Sequence, residues 1–533
     1  MTTAPHDLGD REQDMHPPPR PTRAMRLAAT AAAATLVPAG KLLIALGLRH
    51  AHEGWRRTVG ILLRGESTRF ALSAFALRLP QPHASGDSTL QMTTAEGLLS
   101  FLAGEPDAHF ALQWRRPVTL RRRVGHVDLV VLSFSPDGAL ESLIALLGNG
   151  GPAAPADAVR GRVHAAIVAA YNRTIRHPEA VRARRLRAAL RAVIEDGDAA
   201  GEDALRYADR LLAASCLSFE ELNADSEARF RPPAFAARRT LGLGYLSWIA
   251  RTDAARGSVD HWVSAHHVGL DGVPLQDLLN RLERRWGVVE AIAFPEATRG
   301  SAYHGPEPCH ATGERRVDHL ITFVDLSPVM VLRRHLNARH ASRTGGEITL
   351  AAVLGWLLSQ EHEFEGVRIA STVDVRASSG YERDVDVVSL RAADYGTGTD
   401  PWSGFVEYAR EFNRLIAAAR VRASPVRAGM QTAGLIPAWA HATLVRANPA
   451  SLDETFGTLC VTIVRDARVF VAPMTDIGLR HGFFAIGNIA LPTASGAHVA
   501  CVSIKGEAGC IAGYPNILQR VIRRAEVAAR AQV

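Results

Sequence analysis

The sequence predicts an α/β protein of two tandem lobes, each a mixed β-sheet flanked by helices, behind an N-terminal helical extension. Three observations point there. From residue 111 onward, strand-like runs rich in valine and leucine are interleaved with runs of helical spacing. The C-terminal segment VACVSIKGEAGCIAGYPNILQRVIRR repeats the strand, loop, glycine, proline and helix order of a segment 241 residues earlier, as two fused copies of one unit would. At 533 residues the chain also has room for about three units of roughly 100–200 residues, each able to bury a core.

Composition narrows the class. Hydrophobic residues at 47% and charged ones at 22% are those of an ordinary globular protein. The net charge is +7, and Lys41 and Lys505 are the two lysines, which leaves 59 of the 61 basic residues as arginine. Acidic residues are interspersed throughout and no long basic run occurs, so nucleic acid is not an expected partner; an arginine-rich surface does suit acidic ligands such as phosphorylated carriers. Neither lysine sits between acidic neighbours in a strand-turn-strand setting, which argues against a self-carried lipoyl or biotin arm. The five cysteines (216, 309, 460, 501, 510) include no C-x-x-C pair. An odd, small number is a poor disulfide framework, so a reducing, cytoplasmic setting is expected.

Residues 1–24 are polar and proline-rich (Pro17, Pro18, Pro19, Pro21) and read as a disordered tail. Residues 25–110 read as the extension, built on an alanine-rich apolar helix at 27–48. This helix has the length of a bilayer span, but Pro38, Gly40 and Lys41 interrupt it. That favours a packed or surface-lying helix over a spanning anchor, and leaves membrane contact through 27–48 open. The first lobe, 111–295, carries a strand at 126–134 (HVDLVVLSF), a GNGGP turn at 148–152, and helices at 159–172 and near 203–214. Gly, Pro and charge without periodicity make 296–315 a linker. The second lobe, 316–533, has a strand at 319–326, helices at 328–338 and 348–360, and a strand at 367–375. The helices at 159–172 and 348–360 follow their lobe-opening strands at similar distances and read as counterparts.

The segment that carries chemistry is 259–286, VDHWVSAHHVGLDGVPLQDLLNRLERRW. Val259, Val263 and Ala265 share one face of a strand, a parity that continues to His267. Pro274 suits the first turn of a helix, and Leu275, Leu278, Leu279, Leu282 and Trp286 form its apolar stripe. His266 and His267 thus sit at a strand end, with Asp271 and Gly272 at the mouth of a helix. An imidazole with a pKa near neutrality can act as a general base there; an arginine-paired carboxylate can lock the loop, and a glycine lets backbone approach substrate.

The pattern H-H-x-x-x-D-G within AHHVGLDGVPLQDLLNRLE resembles the active-site signature of the chloramphenicol acetyltransferase-like superfamily. That superfamily includes dihydrolipoyl acyltransferase cores, condensation domains and wax ester synthases. The resemblance implies that His267 is the catalytic base, Asp271 a structural, ion-paired carboxylate, and Gly272 and His266 the remaining signature positions. Arg376 and Arg391 are the candidate partners of Asp271. In the second copy Gly513 falls on Gly272 and Pro515 on Pro274, but Ala508 replaces His267 and Ala512 replaces Asp271, so the resemblance implies one catalytic lobe. The stretch GTLCVTI (457–463) resembles a Gly-Thr-x-Thr-x-Ser strand of the dihydrolipoyl enzymes. It implies an oxyanion-stabilising hydroxyl at Thr462, or else at Thr458.

The function implied is acyl transfer from a thioester, acyl-CoA or acyl carrier phosphopantetheine, to a hydroxyl or amine acceptor. Neither a bound cofactor nor a metal is needed; a carrier protein and a small-molecule or lipid acceptor are the implied partners. A non-catalytic two-lobed protein that docks an acyl carrier or partner enzyme is the alternative. Other motifs fail: Glu361-His362-Glu363 lacks the second histidine of a zinc helix, and neither a G-x-S-x-G elbow nor a P-loop occurs.

Overall fold

The computed structural model describes residues 21–46, 69–78, 88–115, 118–174, 185–192, 201–221, 240–242, 244, 246–253, 258–270, 272–290, 302–304, 309–312, 315–376, 383–396, 402, 404–421, 436–447, 457–464, 470–471, 481–487, 497–507 and 511–531. The chain opens with α1 (Arg23–Ala45). The first lobe then runs β1 (Arg69–Arg78), α2 (Ser88–Ala103), β2 (Phe110–Arg115), β3 (Val118–Arg123), β4 (Leu129–Phe134), β5 (Leu140–Leu146) and α3 (Asp157–Thr174). It continues through α4 (Gly201–Ala213), β6 (Ser215–Glu221), β7 (Leu246–Asp253), β8 (Ser258–His266), α5 (Gly272–Trp286) and β9 (Val288–Glu290). The second lobe begins with β10 (Ala302–His304), β11 (Cys309–Thr312), β12 (Arg315–Asp325), α6 (Ser327–His340), α7 (Leu350–Ser359), β13 (Arg368–Arg376) and β14 (Arg383–Arg391). It ends with α8 (Phe405–Val421), α9 (Ala438–Ala447), β15 (Leu459–Val464), β16 (Phe470–Val471), β17 (Gly482–Gly487), β18 (Val499–Glu507) and α10 (Tyr514–Ala531).

The two main sheets have one plan. The first is ordered β1-β8-β7-β6-β4-β5 and the second β12-β18-β17-β15-β13-β14. Step by step the pairings match: antiparallel, antiparallel, parallel, parallel, antiparallel in each sheet. β8 and β18 are both nine residues long and start 241 residues apart, the spacing of the sequence repeat. The duplication is therefore structural as well as textual.

Burial explains the elements. Val263 and Ala265 of β8 and Leu275, Leu278, Leu279 and Leu282 of α5 are buried in one cluster, which is the stripe the sequence showed. In the second lobe Ile504 of β18 meets Ile517, Leu518 and Val521 of α10 in the same way. The lobes are tied together by β16, whose residues pair with β1 of the first sheet (Ala71 with Val471, Leu72 with Phe470).

Three expectations change. β1 and α2 lie within 25–110, yet β1 is a member of the first sheet beside β8, so the first lobe begins well before residue 111. A register shift between Ser73 and Ala76 breaks the two-residue period by which β1 would have been read. Within 296–315, β10 and β11 pair with β12; edge strands this short carry little periodicity. The counterpart of α3 is α8, since each follows the outer hairpin strand (β5 or β14), whereas α7 lies between α6 and β13. The non-spanning reading of the first helix stands: no helix among the described residues is long and apolar enough to cross a membrane, and α1 packs Ala29 against Ile436 and Ala440, the latter on α9.

Candidate active site

β8 ends on His266, and the chain turns at once. The His266 carbonyl accepts hydrogen bonds from the Gly269 N–H at 2.8 Å and the Leu270 N–H at 3.2 Å. The Val268 N–H donates to His266 Nδ1 at 3.3 Å, so in the neutral ring the proton resides on Nε2. His266 is buried and serves as the post around which the turn is wound. His267 is the first residue of that turn and is half-buried; it leaves the strand rather than continuing its alternation. Gly272 opens α5. Asp271 lies outside the described residues, and with it the ion pair expected there; Arg391 is exposed at the end of β14.

The second lobe carries hydroxyls on the sheet face that is turned toward the first lobe. Thr462 of β15, Ala485 of β17 and Ser503 of β18 are side-by-side partners in one row of the second sheet. Ala485 is fully buried in the first lobe's hydrophobic cluster, which also contains Leu270 from the turn. The row is therefore turned toward the first lobe, while Val461, Phe484 and Ile504 pack on the opposite face with the second lobe's helices. The Thr462 hydroxyl is hydrogen-bonded to the Thr372 hydroxyl of β13. Two hydroxyls have two protons and spend one on each other, so the pair retains one O–H for a further acceptor.

Thr458, the other threonine of GTLCVTI, bonds His481 Nδ1 at 2.9 Å. It stands four residues from Thr462, about 13 Å along a strand. Gly457 before it has φ +77°, and a Cβ there would come 2.5 Å from the Arg368 carbonyl, so the entry to β15 requires glycine. Thr372 and Ser503 were not singled out in the sequence; it is the strand pairing of the second sheet that brings them beside Thr462.

A third histidine on β8 has a different part. His261 is fully buried with its ring edge-on to Trp248 at 6.3 Å and Trp286 at 5.6 Å between centroids. Neither ring nitrogen has a hydrogen-bond partner among the described residues. Burial pushes its pKa down to about 4, so it is a neutral core side chain at physiological pH.

Other polar clusters are structural. Arg210 makes two 2.7 Å hydrogen bonds to the Asp128 carboxylate and also donates to the carbonyls of Gly148 and Pro152. The predicted GNGGP turn is thus wrapped around a buried arginine, beside a cavity of about 40 Å³. Glu361 and Glu363 are engaged by Arg520 of α10 at 2.6 and 2.7 Å. Among the described residues no group of three or more His, Cys, Asp or Glu is placed to hold a metal ion.

No protein-family model matches this chain, and no curated protein does. Solved structures do. A trichothecene 15-O-acetyltransferase from Fusarium sporotrichioides is 10% identical with a TM-score of 0.43, over 89% of this chain and 93% of that one. The starter condensation domain of rhizomide synthetase, solved in complex with C8-CoA and Leu-SNAC, is 9% identical with a TM-score of 0.44, over 88% and 90%. The wax ester synthase/diacylglycerol acyltransferase from Marinobacter aquaeolei VT8 is 9% identical with a TM-score of 0.34, over 87% and 94%. These proteins are of the superfamily that the 266–272 stretch resembles. The likeness is one of fold, and residue roles rest on this chain's own geometry.

Proposed function

We propose that this protein is an acyltransferase that moves an acyl group from a thioester of coenzyme A or of a carrier's phosphopantetheine arm to a hydroxyl or amine acceptor. The reading is supported by His267 standing half-buried in the turn between β8 and α5, while Leu270 of that turn shares a hydrophobic cluster with Ala485 of the second lobe. His267 takes the acceptor's proton as its oxygen or nitrogen attacks the thioester carbonyl. The negative charge that develops on the carbonyl oxygen is met by the O–H that the Thr462–Thr372 pair retains. Collapse expels the thiolate, which receives the proton back from His267, so ester or amide and free thiol are the products. His266 acts through the turn by fixing where His267 leaves the strand, and Asp271 and Gly272 are the remaining positions of the signature.

The second copy of the motif has lost its histidine to Ala508, so the fold tolerates that loss in one lobe; a docking protein without chemistry is the competing reading. Thiol release from a panel of acyl-CoA thioesters in the presence of alcohol and amine acceptors separates the two. Turnover should fall about 10²–10⁴-fold in His267→Ala with the fold intact. Undiminished turnover in that variant, or none in the wild type across the panel, would refute the proposal.

A further inference from the structure

We infer that α1 and α9 together form a surface that lies on an anionic lipid membrane without crossing it. Among the described residues, α1 is packed on one side. Ala29 is buried against Ile436 and Ala440, with Ala32, Ala33, Val37 and Leu444 around them. Elsewhere on the pair, Met25, Leu27, Leu36, Leu42 and Leu46 of the α1 segment and Trp439 of α9 are between 38% and 63% exposed. At 100° per residue, Leu27, Leu42 and Leu46 fall on the flank of α1 turned away from Ala29 and Ala33. A helix that is apolar both where it packs and where it faces outward needs a second apolar medium.

Charge says which medium. The chain has 54 acidic residues in 533, yet there are none between Asp14 and Glu53, where Arg20, Arg23, Arg26, Lys41 and Arg49 lie. There are likewise none between Glu411 and Asp453, where Arg420, Arg422, Arg427 and Arg446 follow Arg414, itself paired with Glu411. The two helices of the pair come from these two acid-free stretches, far apart in sequence and brought together by the fold. Exposed leucine and tryptophan flanked by cations fit the boundary between acyl chains and anionic headgroups. A second copy of α1 would bring more arginine, exposed at Arg23 and Arg26, to a segment without acidic residues, so self-association is disfavoured. Neither helix is long and apolar enough to span, and the contact is therefore one-sided.

Flotation of the full chain with vesicles of phosphatidylcholine, and with vesicles of phosphatidylcholine mixed with phosphatidylglycerol, tests this independently of the acyl-transfer reading. Binding should be at least about tenfold stronger to the anionic vesicles and weaken in high salt. Leu42→Glu/Leu46→Glu should lose binding at least about tenfold with circular dichroism and acyl-CoA thiol release in solution unchanged. Arg23→Gln/Arg26→Gln, which leaves the apolar face intact, should lose the preference for anionic vesicles. Equal binding to neutral vesicles, no binding, or binding that survives Leu42→Glu/Leu46→Glu would overturn the inference. So would a concentration-dependent dimer that those substitutions dissolve.

Discussion

Acidification should loosen the first lobe through His261. The folded protein holds this ring between two tryptophans with a pKa of about 4, against 6.5 for the free side chain. The unfolded chain takes up a proton as pH falls through 6.5, whereas the folded chain resists until pH nears 4. The stability His261 permits is thus fully present above the unfolded pKa and drains away as pH falls through that window. At about 1.36 kcal/mol per pKa unit the whole loss is about 3 kcal/mol, of which about 2.5 has gone by about pH 4.5. Other groups titrate in the same range, so the informative quantity is a difference between proteins. His261→Phe keeps a ring of similar volume against Trp248 and Trp286, and removes two buried nitrogens without partners among the described residues. At neutral pH it should be as stable as wild type or more so, by up to about 3 kcal/mol, the desolvation penalty of an unpaired polar group. Urea unfolding of both proteins at about pH 7.5 and about pH 4.5 should show the gap between them widening by about 2.5 kcal/mol in acid. A constant gap would refute the argument, because it would mean that His261 is no harder to protonate folded than unfolded.

Two further outcomes follow from the site and its frame. Thr462→Val should lower kcat about 10²–10³-fold with little change in KM, the effect of removing an oxyanion donor. Thr372→Val should lower it less, since Thr462 keeps its own hydroxyl; a KM effect confined to either variant would count against the oxyanion role. Arg210→Met leaves Asp128 buried without its cation and should cost about 3–5 kcal/mol of stability in a thermal melt. Arg210→Met/Asp128→Leu should recover part of it, and no recovery would show that the turn at 148–152 depends on the arginine itself.

The parts of the fold that could be read in advance share a physical property: strict period. β8 with α5, and β18 with α10, pair a two-residue alternation with a 3.6-residue leucine or isoleucine stripe, and each is bounded by glycine and proline. Two copies at a fixed offset reinforced each other. β1 was invisible because its register shift between Ser73 and Ala76 mixes its faces. β10 and β11 were hidden because strands of three and four residues offer no period to count. At the site, the paired histidines at a strand end were legible, but their surroundings were not. The hydroxyl partner of Thr462 is Thr372, ninety residues away, and only pairing of β13 with β15 brings them together. The packing of α1 on α9 is long-range in the same sense: an alanine-rich helix does not announce which neighbour will accept its small face.

The short strand β16 bears on how such a protein could ever be cut in two. Phe470 and Val471 occupy the margin of a sheet whose other members all precede residue 291. A fragment ending anywhere before them would display the bare backbone of Ala71 and Leu72, an open template for its neighbours. However plainly the halves betray a common ancestor, neither is expected to be a soluble product by itself, and coexpressed fragments should recover only where the break falls outside that stitch.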